Sequence, residues 1–99
     1  MQGHIFIQEA PEELDVELLK THLVTDGCGA VVSFLGITRG MDEGEEVLRL
    51  EFDAWQDKLS STLHELAEQA VSKYGLNSVA MAHRTGTVGP GENIVAIHV

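Results

Sequence analysis

The sequence predicts one α+β domain over 1–99, a mainly antiparallel sheet with two helices packed on it. Three observations carry that expectation. The 99 residues suffice for a single core and no more. Residues 56–74 repeat apolar positions at steps of three and four. The remaining apolar runs are short, rich in β-branched residues and separated by Gly- and Pro-bearing segments.

The elements follow in order. Residues 4–8 (HIFIQ) place Ile5 and Ile7 on one side of a short strand. Pro11, Glu12 and Glu13 open a helical stretch with the apolar stripe Val16, Leu19 and Leu23, and Leu18 beside it. It ends before Gly27 in an Asp26-Gly27-Cys28-Gly29 turn. Residues 30–37 (AVVSFLGI) read as a buried central strand, with Gly36 marking a bulge or the close approach of another backbone. Residues 40–46 form a polar, glycine-bounded loop. Residues 47–54 (VLRLEFDA) alternate as a half-buried strand paired with the preceding run.

The helix over 56–74 presents Leu59, Leu63, Leu66, Ala67, Ala70, Val71 and Tyr74, and Gly75 stands where a terminating glycine belongs. Residues 79–84 (VAMAHR) and 93–99 (NIVAIHV) are strands on either side of a turn region over 85–92. The order β-α-β-β-α-β-β puts both helices on one face of the sheet. The last strand runs to Val99 with no polar tail, so the expectation is a fragment or an absent C-terminal part.

Composition narrows the function classes. With 43% hydrophobic and 22% charged residues the chain is of ordinary globular type. No apolar run is long enough to span a membrane, and the N-terminus lacks the pattern of a secretory signal. The lone Cys28 can make no internal disulfide, which favours a reducing, cytoplasmic location. The net charge of −10 is concentrated in residues 1–57, with 13 acids against 3 bases. Such a surface repels phosphate backbones and anionic lipid, so neither nucleic acid nor membrane is an expected partner. A local pair of arginines can still hold a small anion.

Most familiar site types are missing from the sequence. There is no Cys-x-x-Cys pair, His-x-x-x-His pair or Gly-x-Ser-x-Gly elbow, and no metal site is expected. Gly86, Gly89 and Gly91 lie between two strands, so Gly89-Pro90-Gly91-Glu92 reads as a type II turn and not as a phosphate loop. Cys28 reads as a small buried hydrophobe. His4, His22, His64 and His98 lack mutual spacing and read as surface or packing residues, and His83-Arg84 as a sheet-edge pair. Arg39 ends the 30–37 run beside a glycine-acidic loop. Its guanidinium could grip a phosphate or carboxylate, or pair with Asp42, Glu43 or Glu45.

These pieces assemble into a resemblance. Gly29-Ala30 leads through Phe34-Leu35-Gly36-Ile37-Thr38-Arg39, and Leu50-Glu51-Phe52-Asp53-Ala54-Trp55 follows. His83-Arg84-Thr85-Gly86 and Gly91-Glu92-Asn93-Ile94-Val95 then occur in register. The whole resembles the catalytic, large subunit of molybdopterin synthase, the MoaE family. The resemblance implies an alpha/beta hammerhead fold and a sulfurtransferase that converts precursor Z, a cyclic pyranopterin monophosphate, to molybdopterin. The sulfur would come from the C-terminal thiocarboxylate of a small ubiquitin-like carrier (MoaD-like). Two catalytic subunits would form a homodimer within a heterotetramer, and no cofactor or metal is implied.

Among the family's substrate contacts, the resemblance carries over only Ile37, Thr38 and Arg39. The family's Ser-x-His-Arg motif and catalytic lysines would lie beyond Val99, and Lys20, Lys58 and Lys73 match none of them. The catalytic residues are therefore left unassigned, and the chain as it stands is expected to be inactive alone. The alternative is a truncated, non-catalytic module of the same type that dimerises or docks the carrier.

Overall fold

The computed structural model describes residues 3–39, 41–42, 45–46, 50–52 and 56–99. The chain runs β1 (His4–Ala10), α1 (Val16–Lys20), β2 (Ser33–Ile37), β3 (Met41–Asp42), β4 (Glu45–Glu46), β5 (Leu50–Phe52), α2 (Gln56–Tyr74), β6 (Ser78–Arg84), β7 (Gly86–Val88) and β8 (Asn93–His98). Four strands form one sheet in the order β1-β6-β8-β2. Only β1 and β6 run parallel; β6-β8 and β8-β2 are antiparallel, as the mainly antiparallel expectation requires. Two small ladders, β3-β4 and β5-β7, stand apart from it.

The centre of the sheet is β6, and not the 30–37 run. Ser78, Val79, Ala80, Met81, Ala82 and Arg84 are all buried. Its two faces serve different helices. Ala80 and Ala82 join Ala10, Leu14, Leu19 and Ala96 beneath α1, while Val79 and Met81 join Leu63 and Ala67 beneath α2. The helices therefore cover opposite faces, which corrects the one-face expectation. Small alanines on one side let a five-residue helix sit close, and bulkier residues on the other fill the gap to a longer one.

The 30–37 run is the sheet's edge. Val32 is 63% exposed and Phe34 58%, with Leu35 and Ile37 also exposed. Its neighbour is β8, not the 47–54 run, whose described part pairs with β7. An apolar run states that both faces of a strand are hydrophobic, and it does not state what covers them. Within the polar 40–46 segment, the described residues form the β3-β4 ladder. The rest of 47–54 lies outside the described residues.

The helices follow their end signals unequally. Asp15 caps α1 by accepting from Leu18 N at 3.0 Å, so Pro11, Glu12 and Glu13 precede the helix and do not open it. Leu19 is buried and Val16 partly so, but the helix stops at Lys20, well short of the expected end before Gly27, and Leu23 packs on the same cluster from the turn that follows it. α2 matches its expected bounds, and Gly75 N donates to Val71 O at its end. Leu63 and Ala67 are buried, whereas Leu66 and Tyr74 face solvent.

At Gly36 the register of β2 against β8 shifts, so the expected bulge is present. The close approach is by a side chain: a Cβ at Gly36 would meet Val95 Cγ1 at 2.7 Å. Valine is stiff at χ1 and cannot swing aside. Gly36→Ala should therefore destabilise the fold by about 1–3 kcal/mol in urea denaturation. An unchanged midpoint would show that the edge strand yields freely.

Candidate functional site

The candidate site is the end of β2, where Ile37, Thr38 and Arg39 leave the sheet. Ladder pairing stops at Ile37 opposite Asn93. Beyond it the backbone is held by the Gly89–Glu92 turn: Thr38 N donates to Glu92 O and Gly91 N donates to Thr38 O, each at 2.9 Å. The turn is of the expected type, since Gly91 has φ +80° and Glu92 N donates to Gly89 O at 3.2 Å.

The turn is braced from the central strand. Arg84 ends β6 only 4% exposed, and its Nη1 donates to Glu92 Oε2 at 3.0 Å. Gly89 N donates to the same carboxylate oxygen at 3.1 Å. Arg84 Nε reaches Ala10 O and Nη2 reaches Thr87 O, both at 3.0 Å. A buried guanidinium thus has partners in every direction of its plane, the condition under which its burial is tolerable. Arg84 is no sheet-edge residue, which corrects that expectation. The Gly89 N–H bond, followed by the Arg84 guanidinium, holds the Glu92 carboxyl below its ordinary 4.5.

The three expected contact residues occupy different environments. Ile37 and Arg39 are exposed, and Thr38 is 2% exposed. Thr38 Oγ1 is enclosed without a hydrogen-bond partner, an arrangement that ordinarily costs about 1–3 kcal/mol. Any contact of that hydroxyl with a bound molecule requires the strand end to open. The adjoining cleft of about 380 Å³ is lined by Glu12, Glu13, Leu14, Arg84, Gly91, Glu92 and Asn93. Its carboxylates outnumber its one arginine, so an anion is repelled there.

The other candidates resolve as structure. His98 is buried, with Nε2 donating to Val16 O at 3.0 Å and Nδ1 accepting from Ser33 Oγ at 2.6 Å. His22 stacks on Phe6, and His64 pairs with Glu68 across one turn of α2. His83 Nδ1 lies 2.7 Å from Arg84 O. Cys28 is exposed, not buried, on a groove of about 300 Å³ with Val31, Val32, Asn77 and Val99. Lys20, Lys58 and Lys73 are exposed helix residues. Among the described residues no helix is long and apolar enough to cross a membrane, and no group of His, Cys, Asp or Glu could hold a metal ion.

Sequence reasoning named Arg84 and Glu92 but missed their pairing across the turn. The available signal was an arginine and a glutamate flanking a Pro-Gly turn, opposite charges that the turn folds together.

The chain is similar to known proteins in both sequence and fold. The family model described as "MoaE protein" matches residues 9–99. The molybdopterin synthase catalytic subunit of Coccidioides immitis is 37% identical over 95 residues, covering 96% of this chain and 48% of that protein. The chain spans about half the length of the curated relatives it matches. Molybdopterin synthase from Staphylococcus aureus superposes with a TM-score of 0.81 at 22% identity, over 91% of this chain and 66% of that one. The complex of subunits 1 and 2 of molybdopterin-converting factor from Helicobacter pylori gives 0.65 at 26% identity, over 93% of this chain and 62% of that one.

The depressed Glu92 carboxyl has a pH consequence. Its contribution to stability is complete above 4.5 and is lost as pH falls through the lowered value. Denaturation of the wild type and Glu92→Gln should differ most at neutral pH and converge as the medium is acidified below 4.5. A gap that widens on acidification would contradict this.

Proposed function

Since the chain belongs to the MoaE family, we propose that it serves as the catalytic subunit of molybdopterin synthase. In this reading it transfers sulfur from the C-terminal thiocarboxylate of a ubiquitin-like carrier to precursor Z. The observation that carries the reading to particular residues is the braced strand end. The turn holds both the N–H and the C=O of Thr38, so Arg39 leaves the sheet next to a fixed peptide. A guanidinium placed there suits the pterin phosphate or the carrier's terminal carboxylate, each of which it can meet with two parallel hydrogen bonds. Ile37 offers an exposed apolar surface beside it.

A small partner subunit is supported by the Helicobacter pylori neighbour, whose structure is a complex of subunits 1 and 2. The exposed apolar edge of β2 favours a further proposal. Long apolar edges are ordinarily paired or covered, so this one suits a homodimer. The same edge also favours a second reading, a module that dimerises or docks the carrier without turning over substrate.

Arg39 tests the first reading. Arg39→Ala should remove a charge-assisted contact of about 1.5–3 kcal/mol, weakening precursor Z or carrier-tail binding about ten- to a hundredfold. Arg39→Lys should also weaken binding, because an ammonium keeps the charge and loses the fork. Thermal melts should barely move, since the side chain is exposed and fills no core volume. A variant that melts much earlier yet binds normally would make Arg39 structural. Carrier binding without any precursor Z binding by the wild type would select the docking module.

A further inference from the structure

Arg84 lies outside the expected ligand contacts, yet its bonds lead to the residue that carries them. Two of its nitrogens fasten it to Ala10 O and Thr87 O, so the guanidinium is anchored to β1 and β7 independently of the turn. Its third bond takes the carboxylate of Glu92, whose Oε2 also receives Gly89 N. The turn so braced supplies both backbone bonds of Thr38. Those bonds come after the last ladder pair of an edge strand, where a chain end would otherwise fray.

We infer that Arg84 is a positioning residue: through Glu92 and the Gly89–Glu92 turn it fixes the direction in which Arg39 leaves β2. The inference rests on the reading of Arg39 as an anion-binding residue. Its physical ground is angular. Two parallel N–H bonds to an oxyanion form only if the planar guanidinium arrives in the right orientation, which a frayed strand end does not deliver. The brace is also placed where it can act without carrying the fold. Glu92 has a side chain 52% exposed, so its loss leaves the core filled, whereas Arg84 is buried among backbone carbonyls.

The test uses Glu92→Ala and Glu92→Gln in the full chain, because Arg84→Ala would also remove the bonds to Ala10 O and Thr87 O. Amide hydrogen exchange reads the mechanical link without any ligand. In Glu92→Ala the Thr38 and Gly91 amides should exchange about tenfold faster or more, with the amides of β1 and β6 unchanged. Glu92→Gln keeps a carbonyl acceptor and should fall between the wild type and Glu92→Ala. Precursor Z titrations of the wild type, Glu92→Ala, Arg39→Ala and the double variant then read the consequence. Glu92→Ala should weaken binding about tenfold when Arg39 is present and not at all when it is alanine. Unchanged exchange at Thr38 and Gly91, or equal weakening in both backgrounds, would overturn the inference. A wild type that ignores precursor Z while the exchange change appears would uphold the mechanical link and overturn the ligand reading of Arg39 alone.

Discussion

One buried guanidinium joins parts of the chain that lie far apart in sequence. Arg84 links the end of β1, the start of the β5-β7 ladder and the turn before β8, in each case through a donor at 3.0 Å. Thr85 N adds a second bond to the same Ala10 carbonyl. A charge this deeply enclosed is tolerable only while each direction is satisfied: Ala10 O and Thr87 O meet two of them inside the fold, and the third points to the half-exposed Glu92, where water can stand in. Lysine could not replace it, because one ammonium cannot point along three directions in a plane.

The brace matters because the sheet is so unevenly supported. β6 is covered on both faces, by α1 over its alanines and by α2 over Val79 and Met81. Among the described residues β2 has a sheet neighbour on one side only, and Phe34 within it and Val32 just before it face solvent. Packing therefore thins from the doubly covered β6 towards the exposed edge at β2, and Arg39 follows the end of that edge strand. The Glu92 turn compensates at one point, the Thr38 peptide, by borrowing fixity from the central strand. Sulfur transfer, as proposed, would need a rigid cation beside an accessible edge, and this arrangement offers both in adjacent residues.

What could be read from the sequence was whatever local periodicity or turn chemistry specifies. The helix Gln56–Tyr74 is marked by its stripe and by Gly75, and the Gly89–Glu92 turn by proline and glycine at the positions a type II turn demands. Gly36 announces its bulge because only a residue without Cβ fits opposite Val95. Neighbour relations were not legible. The run AVVSFLGI and the strand SVAMAHR are both apolar, yet the first is an edge and the second the centre. Alternation reports which faces are hydrophobic, whereas strand order is set by contacts remote in sequence, such as Leu50–Phe52 against Gly86–Val88. Of the site, Arg39 was visible as a strand-end cation, but its support was not, since Arg84 and Glu92 meet only after the turn folds. Nothing local separates an exposed Cys28 from a buried one.

The central claim is that anions meet this protein at the end of β2. An amide NMR titration of the full chain with precursor Z tests it most directly. The account predicts shifts concentrated at Thr38, Arg39, Gly91 and Glu92, with the groove around Cys28, Gly29 and Asn77 unaffected. Shifts centred on that groove, with Thr38 and Arg39 silent, would contradict it.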